Sequence, residues 1–153
     1  MELRVATLDD ARELTALYRR ARAEAMPWLA VPHDEASTQW WVEHMLIPDH
    51  RVLVADGGDG RPVGFSAVAG DWLQQLYVHP DQQHAGVGRA LLDEAKRARP
   101  GGLKLHVFTR NTRARRFYEA AGFLLVEQGD GSTNEEREAD CLYEWALDRA
   151  LSS

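Results

Sequence analysis

Residues 76–92 have the sequence LYVHPDQQHAGVGRALL, in which an apolar run ending at Val78 is followed by a polar loop and two glycines. This pattern predicts a strand, a short loop and a helix that begins near Gly86 and Gly88. Glycines leave the backbone N–H groups unshielded by side chains, and the helix dipole is positive at this end. The stretch is therefore typical of a site that binds an anion such as a pyrophosphate.

Two common phosphate-binding motifs do not fit this stretch. A P-loop requires Gly-Lys-Ser/Thr, which the sequence lacks. A dinucleotide-binding fingerprint would have a third Gly or Ala where Leu91 stands, and an acidic residue about 20 positions on, where His106 stands. The alternative to an anion site is a purely structural role, in which the two glycines only allow the helix and the strand to pack closely.

Composition limits the class of protein. The chain has 153 residues, of which 44% are hydrophobic, so we expect one domain, residues 1–153. Its net charge of −6 and the lack of a basic stripe argue against a nucleic-acid partner and favour a cationic one. It has no long apolar run and no signal-peptide pattern, so we expect a cytoplasmic protein without membrane contact. The single cysteine, Cys141, predicts a structural role, and the six histidines predict no metal site.

Turn and periodicity signals predict the element order β-α-α-β-β-β-α-β-α-β-β. Strands are expected at residues 3–6, 51–56, 62–69, 72–78, 103–108, 123–127 and 140–145. Helices are expected before Pro27, within residues 26–50, between Gly86 and Pro100, and from Asn111 or Thr112 to Ala121. Hairpins and crossovers alternate, so we predict an α/β (mixed α+β) fold with a sheet of six to seven strands and helices on both faces.

Two segments resemble a known family. Residues 83–88, Gln-His-Ala-Gly-Val-Gly, fit the pattern Gln/Arg-x-x-Gly-x-Gly/Ala of the GCN5-related N-acetyltransferases, and the preceding Leu-Tyr-Val-His-Pro is also similar. Residues 111–123, NTRARRFYEAAGF, resemble that family's Asn-x-x-Ala-x-x-Phe-Tyr-Glu-x-x-Gly-Phe segment. The resemblance is specific from about Val63 to Phe123. The Trp-rich N-terminal part and the C-terminal loop carry no such signature.

The resemblance implies an acetyl-CoA-dependent N-acetyltransferase with central parallel strands that splay apart around the co-substrate. Its cofactor-binding positions correspond to Leu76, Tyr77, Val78, Gln83, His84, Ala85, Gly86, Val87, Gly88, Arg89 and Asn111. Asn111 has an alternative role as a helix cap. Arg89, Arg113, Arg115 and Arg116 either reach the CoA phosphates or form a solvated helix face.

The resemblance also implies a general acid. Tyr118 matches the family's usual proton donor to the departing CoA thiolate, and the alternative is a tyrosine that packs with Phe117 against the sheet. A phenol with pKa near 10 can donate to a thiolate whose conjugate acid has pKa near 8.5 once charge develops.

The general base is less well defined. His106 stands where some relatives that acetylate protein N-termini carry a catalytic Glu, and histidine suits a base at neutral pH. A histidine bonded to a backbone carbonyl is the alternative, with Asp71, Gln75 or a water chain acting instead.

The acceptor is expected beside the loop between the first two helices. Trp28, Glu35 and Trp40 are predicted to bind it, and His33, Asp34 and Trp41 are further candidates. We expect a primary amine, on a small molecule or a protein, to attack the thioester directly, with an amide near Val78 stabilising the oxyanion. An acyl-CoA-binding sensor without turnover, a module that binds no CoA, and a homodimer all stay open at this point.

Overall fold

The computed structural model describes residues 1–30, 33–83 and 85–147, so the predicted contact of His84 lies outside the described residues. Seven strands form one sheet in the order β1-β2-β3-β4-β5-β7-β6. The strands are β1 Glu2–Val5, β2 Arg51–Asp56, β3 Pro62–Ala69, β4 Trp72–Val78, β5 Leu103–Phe108, β6 Leu124–Gly129 and β7 Asp140–Trp145. Neighbours are antiparallel except β4 and β5, which are parallel. The predicted mixed sheet is confirmed.

The helices are α1 Ala11–Ala25, α2 Glu35–Trp41, α3 Ile47–Asp49, α4 Val87–Ala98 and α5 Thr112–Ala120. The single helix predicted within residues 26–50 consists of α2 and α3 joined by a π-helical turn, Val42–Leu46. Asp34 begins α2 by accepting a hydrogen bond from the Ser37 amide at 2.7 Å. The other boundaries differ from the predicted ones by a residue or two, as is usual at element ends.

Helices cover both faces because the side chains of β2 alternate between two apolar clusters. Val52 and Val54 pack with α1 and the α2–α3 region on one face. Leu53 and Ala55 pack with α4 on the other. A third cluster joins α4 and α5 to β5 and β7. The two helices that follow or contain the family-like segments therefore lie on the same face of the sheet.

The parallel strands β4 and β5 separate soon after they begin. Their register contains Trp72 opposite Lys104, and the Lys104 amide donates to the carbonyl of Asp71 at 2.8 Å. On the other side of β4, the register with β3 shifts after Ala67, which is a bulge at Gln74. A bulge bends the strand that contains it, and a cleft lined by both β4 and β5 lies beyond the paired position of Trp72 and Lys104.

No helix in the described part of the chain is long and apolar enough to cross a membrane.

Candidate active site

The end of β4 offers free backbone groups to the cleft. The His79 amide donates to the Val63 carbonyl at 2.8 Å, and Tyr77 is paired with Phe65 two positions earlier. Hydrogen-bonded pairs alternate along an antiparallel ladder, so Leu76 and Val78 direct their N–H and C=O groups away from β3. These groups therefore lie along the cleft on the β5 side, where an extended ligand could pair with them.

The start of α4 forms one end of the cleft. Gly86 precedes the helix with φ of +81°, a left-handed conformation that favours glycine. A Cβ on Gly88 would lie 3.5 Å from Val78 Cγ2 and 3.6 Å from Phe117 Cζ, so β4, α4 and α5 converge there. The first amides of α4 have no partner within the helix and face this point.

A cavity of about 360 Å³ occupies the space between these elements. It is lined by Leu76, Tyr77, Val78, Gln83, Gly86, Val87, Gly88, Arg89, Asn111, Arg113, Phe117 and Tyr118, among others. The structure thus brings together most of the predicted cofactor-binding residues. The Ala85 amide instead donates to the Gln82 carbonyl at 3.3 Å, within the loop. Arg115 bonds to the Tyr143 hydroxyl at 3.0 Å and so supports the fold at α5.

Asn111 caps α5 and also lines the cavity. Its side-chain oxygen accepts from the Ala114 amide at 3.2 Å. The Nδ2 group of the same amide is the part that can donate to a carbonyl in the cavity. Both roles considered for Asn111 are therefore compatible.

Tyr118 lies between the cleft and the core. Its ring is edge-on to Phe117 and to Phe123, with centroids 5.2 Å and 5.5 Å away. Burial, and secondarily the nearby Tyr77, raises the pKa of Tyr118, so its hydroxyl keeps its proton. Tyr118 lines both the 360 Å³ cavity at the start of α4 and a second cavity, of about 100 Å³, in the gap between β4 and β5.

His106 lines that second cavity from the other face of the sheet. Its neighbours on β5, Leu105 and Val107, point into the cluster that contains Tyr118. His106 stacks on Trp72 with centroids 5.1 Å apart, and its Nδ1 lies 3.9 Å from Asp140 Oδ2. Tyr118 from one face and His106 from the other thus border the same gap.

A larger cavity, about 740 Å³, lies between α1, α2 and the β6–β7 loop. Its lining is partly aromatic and partly charged, and includes Tyr18, Arg22, His33, Trp40, Trp41, Met45, Gln75, Glu135 and Glu136. Gln75 also lines the gap between β4 and β5. The large cavity therefore adjoins the gap on the face opposite α4 and α5.

Arg22 is the central cation of this cavity. Its guanidinium donates to the Tyr77 hydroxyl at 3.3 Å and to Glu136 Oε2 at 3.3 Å. It also lies 5.2 Å from the centre of the Tyr18 ring. The arrangement ties the β6–β7 loop to α1 beside the end of β4.

Of the three residues predicted to bind the acceptor, one lines this cavity and two do not. Trp40 lines it. Trp28 instead packs edge-on to Phe108, with the guanidinium of Arg110 4.5 Å from its ring centre, and Glu35 is exposed in the first turn of α2. Sequence reasoning missed Arg22, Glu135 and Glu136. The acid-rich run Glu135-Glu136-Arg137-Glu138 was the only signal, and it did not reveal which cavity the loop borders.

No group of three His, Cys, Asp or Glu side chains suited to a metal ion occurs within residues 1–30, 33–83 and 85–147.

Comparison with known proteins gives consistent matches. Residues 48–124 match the family model described as acetyltransferase (GNAT) domain. The peptidyl-lysine N-acetyltransferase YjaB of Salmonella typhimurium is 27% identical over 127 residues, covering 80% of this chain and 82% of that protein. An uncharacterized N-acetyltransferase of Mycobacterium bovis is 33% identical over 134 residues, covering 77% and 85%.

Solved structures share the fold. The solution structure of apo-form YjaB from Escherichia coli has a TM-score of 0.79 at 23% identity, covering 94% of this chain and 96% of that one. The structure of yncA from Salmonella typhimurium, described with its cofactor acetyl-CoA, has a TM-score of 0.69 at 23% identity, covering 97% and 94%. This chain thus has the same fold as these two proteins over nearly its whole length.

Proposed function

The chain belongs to the GCN5-related N-acetyltransferase (GNAT) family and is an acyltransferase, and from this premise we propose that it transfers the acetyl group of acetyl-CoA to a primary amine. The amine attacks directly while both substrates are bound. The observation that carries this proposal is that the gap between β4 and β5 adjoins both cavities. Tyr118 and Asn111 line the gap and also the cavity at the start of α4, whereas Gln75 lines the gap and also the 740 Å³ cavity.

The residues that line the cavity at α4 support acetyl-CoA as the donor. The pyrophosphate would accept hydrogen bonds from the first amides of α4, around Val87 and Gly88, where the helix dipole favours an anion. The pantetheine arm would pair with the outward backbone groups of Leu76 and Val78, and Asn111 Nδ2 would donate to one of its carbonyls. The acetyl group would then lie in the gap between the strands, next to Tyr118.

Two groups on the protein handle protons in the proposed reaction. The amine nitrogen forms a bond to the thioester carbonyl carbon, the negative charge passes to the carbonyl oxygen near the Val78 amide, and the carbon–sulfur bond then breaks. Tyr118 gives its proton to the departing sulfur, which its raised pKa allows only as negative charge develops there. His106, at the same gap, accepts the proton that the amine loses, directly or through water.

A direct assay tests this proposal. Thiol release from acetyl-CoA is measured with a panel of primary amines, and the acetylated product is identified by mass spectrometry. We expect amine-dependent release, a rise in Tm with acetyl-CoA, and no acetyl group on the protein when acceptor is absent. Tight acetyl-CoA binding without turnover on any amine would favour the sensor instead. A Tm unchanged by acetyl-CoA would argue against a CoA site.

A further inference from the structure

The 740 Å³ cavity has an acidic and aromatic lining that narrows the class of acceptor. Resting on the proposed function, we infer that the acceptor is an amine with a second positive charge, such as a diamine or a basic peptide. Glu135 and Trp40 bind that second charge while the reacting amine enters the gap beside Gln75.

The charge balance of the cavity favours a cation. Two carboxylates, those of Glu135 and Glu136, and one guanidinium, that of Arg22, line the cavity. Arg22 lies close enough to Glu136 to neutralise it, at 3.3 Å. Glu135 contacts His33 through one oxygen, Oε1, at 2.6 Å, and its side chain is 58% exposed, so a bound cation can reach the carboxylate from the cavity. Glu135 is thus the carboxylate available to a bound cation.

The aromatic residues strengthen this preference. Trp40 is 56% exposed at the cavity, with one face stacked on His44 at a centroid distance of 4.8 Å. Met45, also exposed, extends the apolar surface beside it. An indole ring attracts an ammonium group electrostatically, and a methylene chain can lie along the ring and the thioether.

An anionic acceptor fits poorly. The obvious partner for a carboxylate is Arg22, whose guanidinium already contacts Glu136, the Tyr77 hydroxyl and the Tyr18 ring. The side chains of Arg22 and Glu136 are each only 18% exposed. A bound carboxylate would displace Glu136 and leave it partly buried without its cation, which is unfavourable. Aminocarboxylates are therefore expected to be poor acceptors.

Three acceptors of matched length test the inference on the full chain: 1,5-diaminopentane, pentylamine and 5-aminopentanoate. Either amine of the diamine can react, so its kcat/KM is divided by two before comparison. We expect this value to exceed that of the monoamine by about three- to tenfold, the combined effect of an exposed ion pair and a cation–π contact. The aminocarboxylate should fall below the monoamine. Equal kcat/KM for the diamine, after this division, and the monoamine, or a preference for the aminocarboxylate, would overturn the inference while leaving the proposed function intact.

A pair of loop variants assigns the effect to Glu135. Glu135→Gln keeps a hydrogen-bond acceptor for His33 and should lower the diamine-to-monoamine ratio by about two- to threefold, because the cation–π contact with Trp40 remains. Glu138→Gln, in the same loop but paired with Arg110 at 3.4 Å, should keep the ratio. The shift in Tm caused by acetyl-CoA checks that both variants are folded. A ratio unchanged in Glu135→Gln would contradict the inference. If none of the three amines and no amine of the wider panel gave turnover, that result would instead count against the proposed function.

Discussion

Trp72 pairs with Lys104 at the start of β4 and β5, and this is the one parallel pair that the two strands form within the described residues. From there to the strand ends the two backbones border a cavity, with Leu76 and Val78 on one side and Tyr118 beneath. A ligand that pairs with Leu76 and Val78 would thus take the place of a neighbouring strand. Its far end would reach Tyr118 and His106 together.

Tyr118→Phe tests the acid. We expect kcat to fall by about 10²-fold, because proton donation to the departing sulfur is lost, while the Kd for acetyl-CoA changes little. The measurement is steady-state thiol release alongside acetyl-CoA titration. An unchanged kcat would remove Tyr118 from this role.

Tyr143→Phe is the matched control for that substitution. The Tyr143 hydroxyl accepts from Arg115 at 3.0 Å and donates to Glu119, so its removal should lower the free energy of unfolding by about 1–2 kcal/mol. It should leave kcat near that of the original chain. A comparable loss of kcat in both variants would mean that Tyr118 acts through stability.

Gly88→Ala tests the anion site at α4. The added Cβ would make ordinary contacts with Val78 and Phe117, so the fold should accept it. The methyl group would enter the cavity beside the first amides of the helix, and we expect the Kd for acetyl-CoA to rise by about tenfold, or 1.4 kcal/mol. Isothermal titration measures the change.

Gly101→Ala is the control for the glycine substitution, because a Cβ there meets nothing within 4 Å. Binding and Tm should stay as they are. If Gly88→Ala bound acetyl-CoA as tightly as Gly101→Ala does, the pyrophosphate would have to bind elsewhere.

The fold followed from local sequence signals. Gly86 and Asn111 mark helix starts through backbone requirements that are visible in the sequence, and alternation in β2 predicts burial on two faces. The splay between β4 and β5 was inferred only by resemblance to the family. It is accompanied by a bulge at Gln74, and a bulge of one residue leaves no periodic trace in a seven-residue strand.

The acceptor side was predictable only in part. Trp40 was found because an aromatic residue in an irregular segment is conspicuous, but the same criterion selected Trp28, which packs on Phe108. Glu136 meets Arg22 from 114 positions away. Such a contact depends on how the β6–β7 loop crosses the sheet, which composition and spacing do not encode.

His106→Gln tests the base. We expect kcat/KM to fall by about 10- to 100-fold at neutral pH with a lysine-like amine, because glutamine cannot accept its proton. The loss should be smaller with an α-amine. Its reference pKa is near 7.8, so a larger fraction of it is neutral at pH 7 than of a lysine-like amine with a pKa of about 10.4. Initial rates across a pH series, with both acceptors, give the comparison.

His50→Gln provides the control for the base. His50 bonds to the Leu46 carbonyl at 2.9 Å at the end of α3 and has no part in the proposed chemistry. The activity of the His50→Gln variant should match that of the original chain. Equal losses for both acceptors in His106→Gln would indicate a positioning effect rather than proton transfer.

Asp10→Asn tests an ion pair that joins β1 to the turn before α1. Both oxygens of Asp10 accept from Arg4 at 2.9 Å, and Oδ2 also accepts from the Thr7 amide at 2.9 Å. The bonds from Arg4 hold the pKa of this carboxyl below its ordinary value, although burial acts in the opposite direction. Since the folded-state pKa is the lower one, the stabilisation is complete above the unfolded pKa of about 3.9 and is lost as the pH falls through the folded value.

We therefore expect Asp10→Asn to lower the free energy of unfolding by about 1–3 kcal/mol at neutral pH, since it removes the charge from a partly buried, doubly hydrogen-bonded pair. The difference from the original chain should shrink in acid, once the original carboxyl is itself protonated. Urea unfolding across the acidic range measures both effects. Asp9→Asn, at the exposed neighbouring position, should change stability by no more than about 0.5 kcal/mol. A difference between Asp10→Asn and the original chain that persisted below the folded pKa would assign the loss to packing instead of charge.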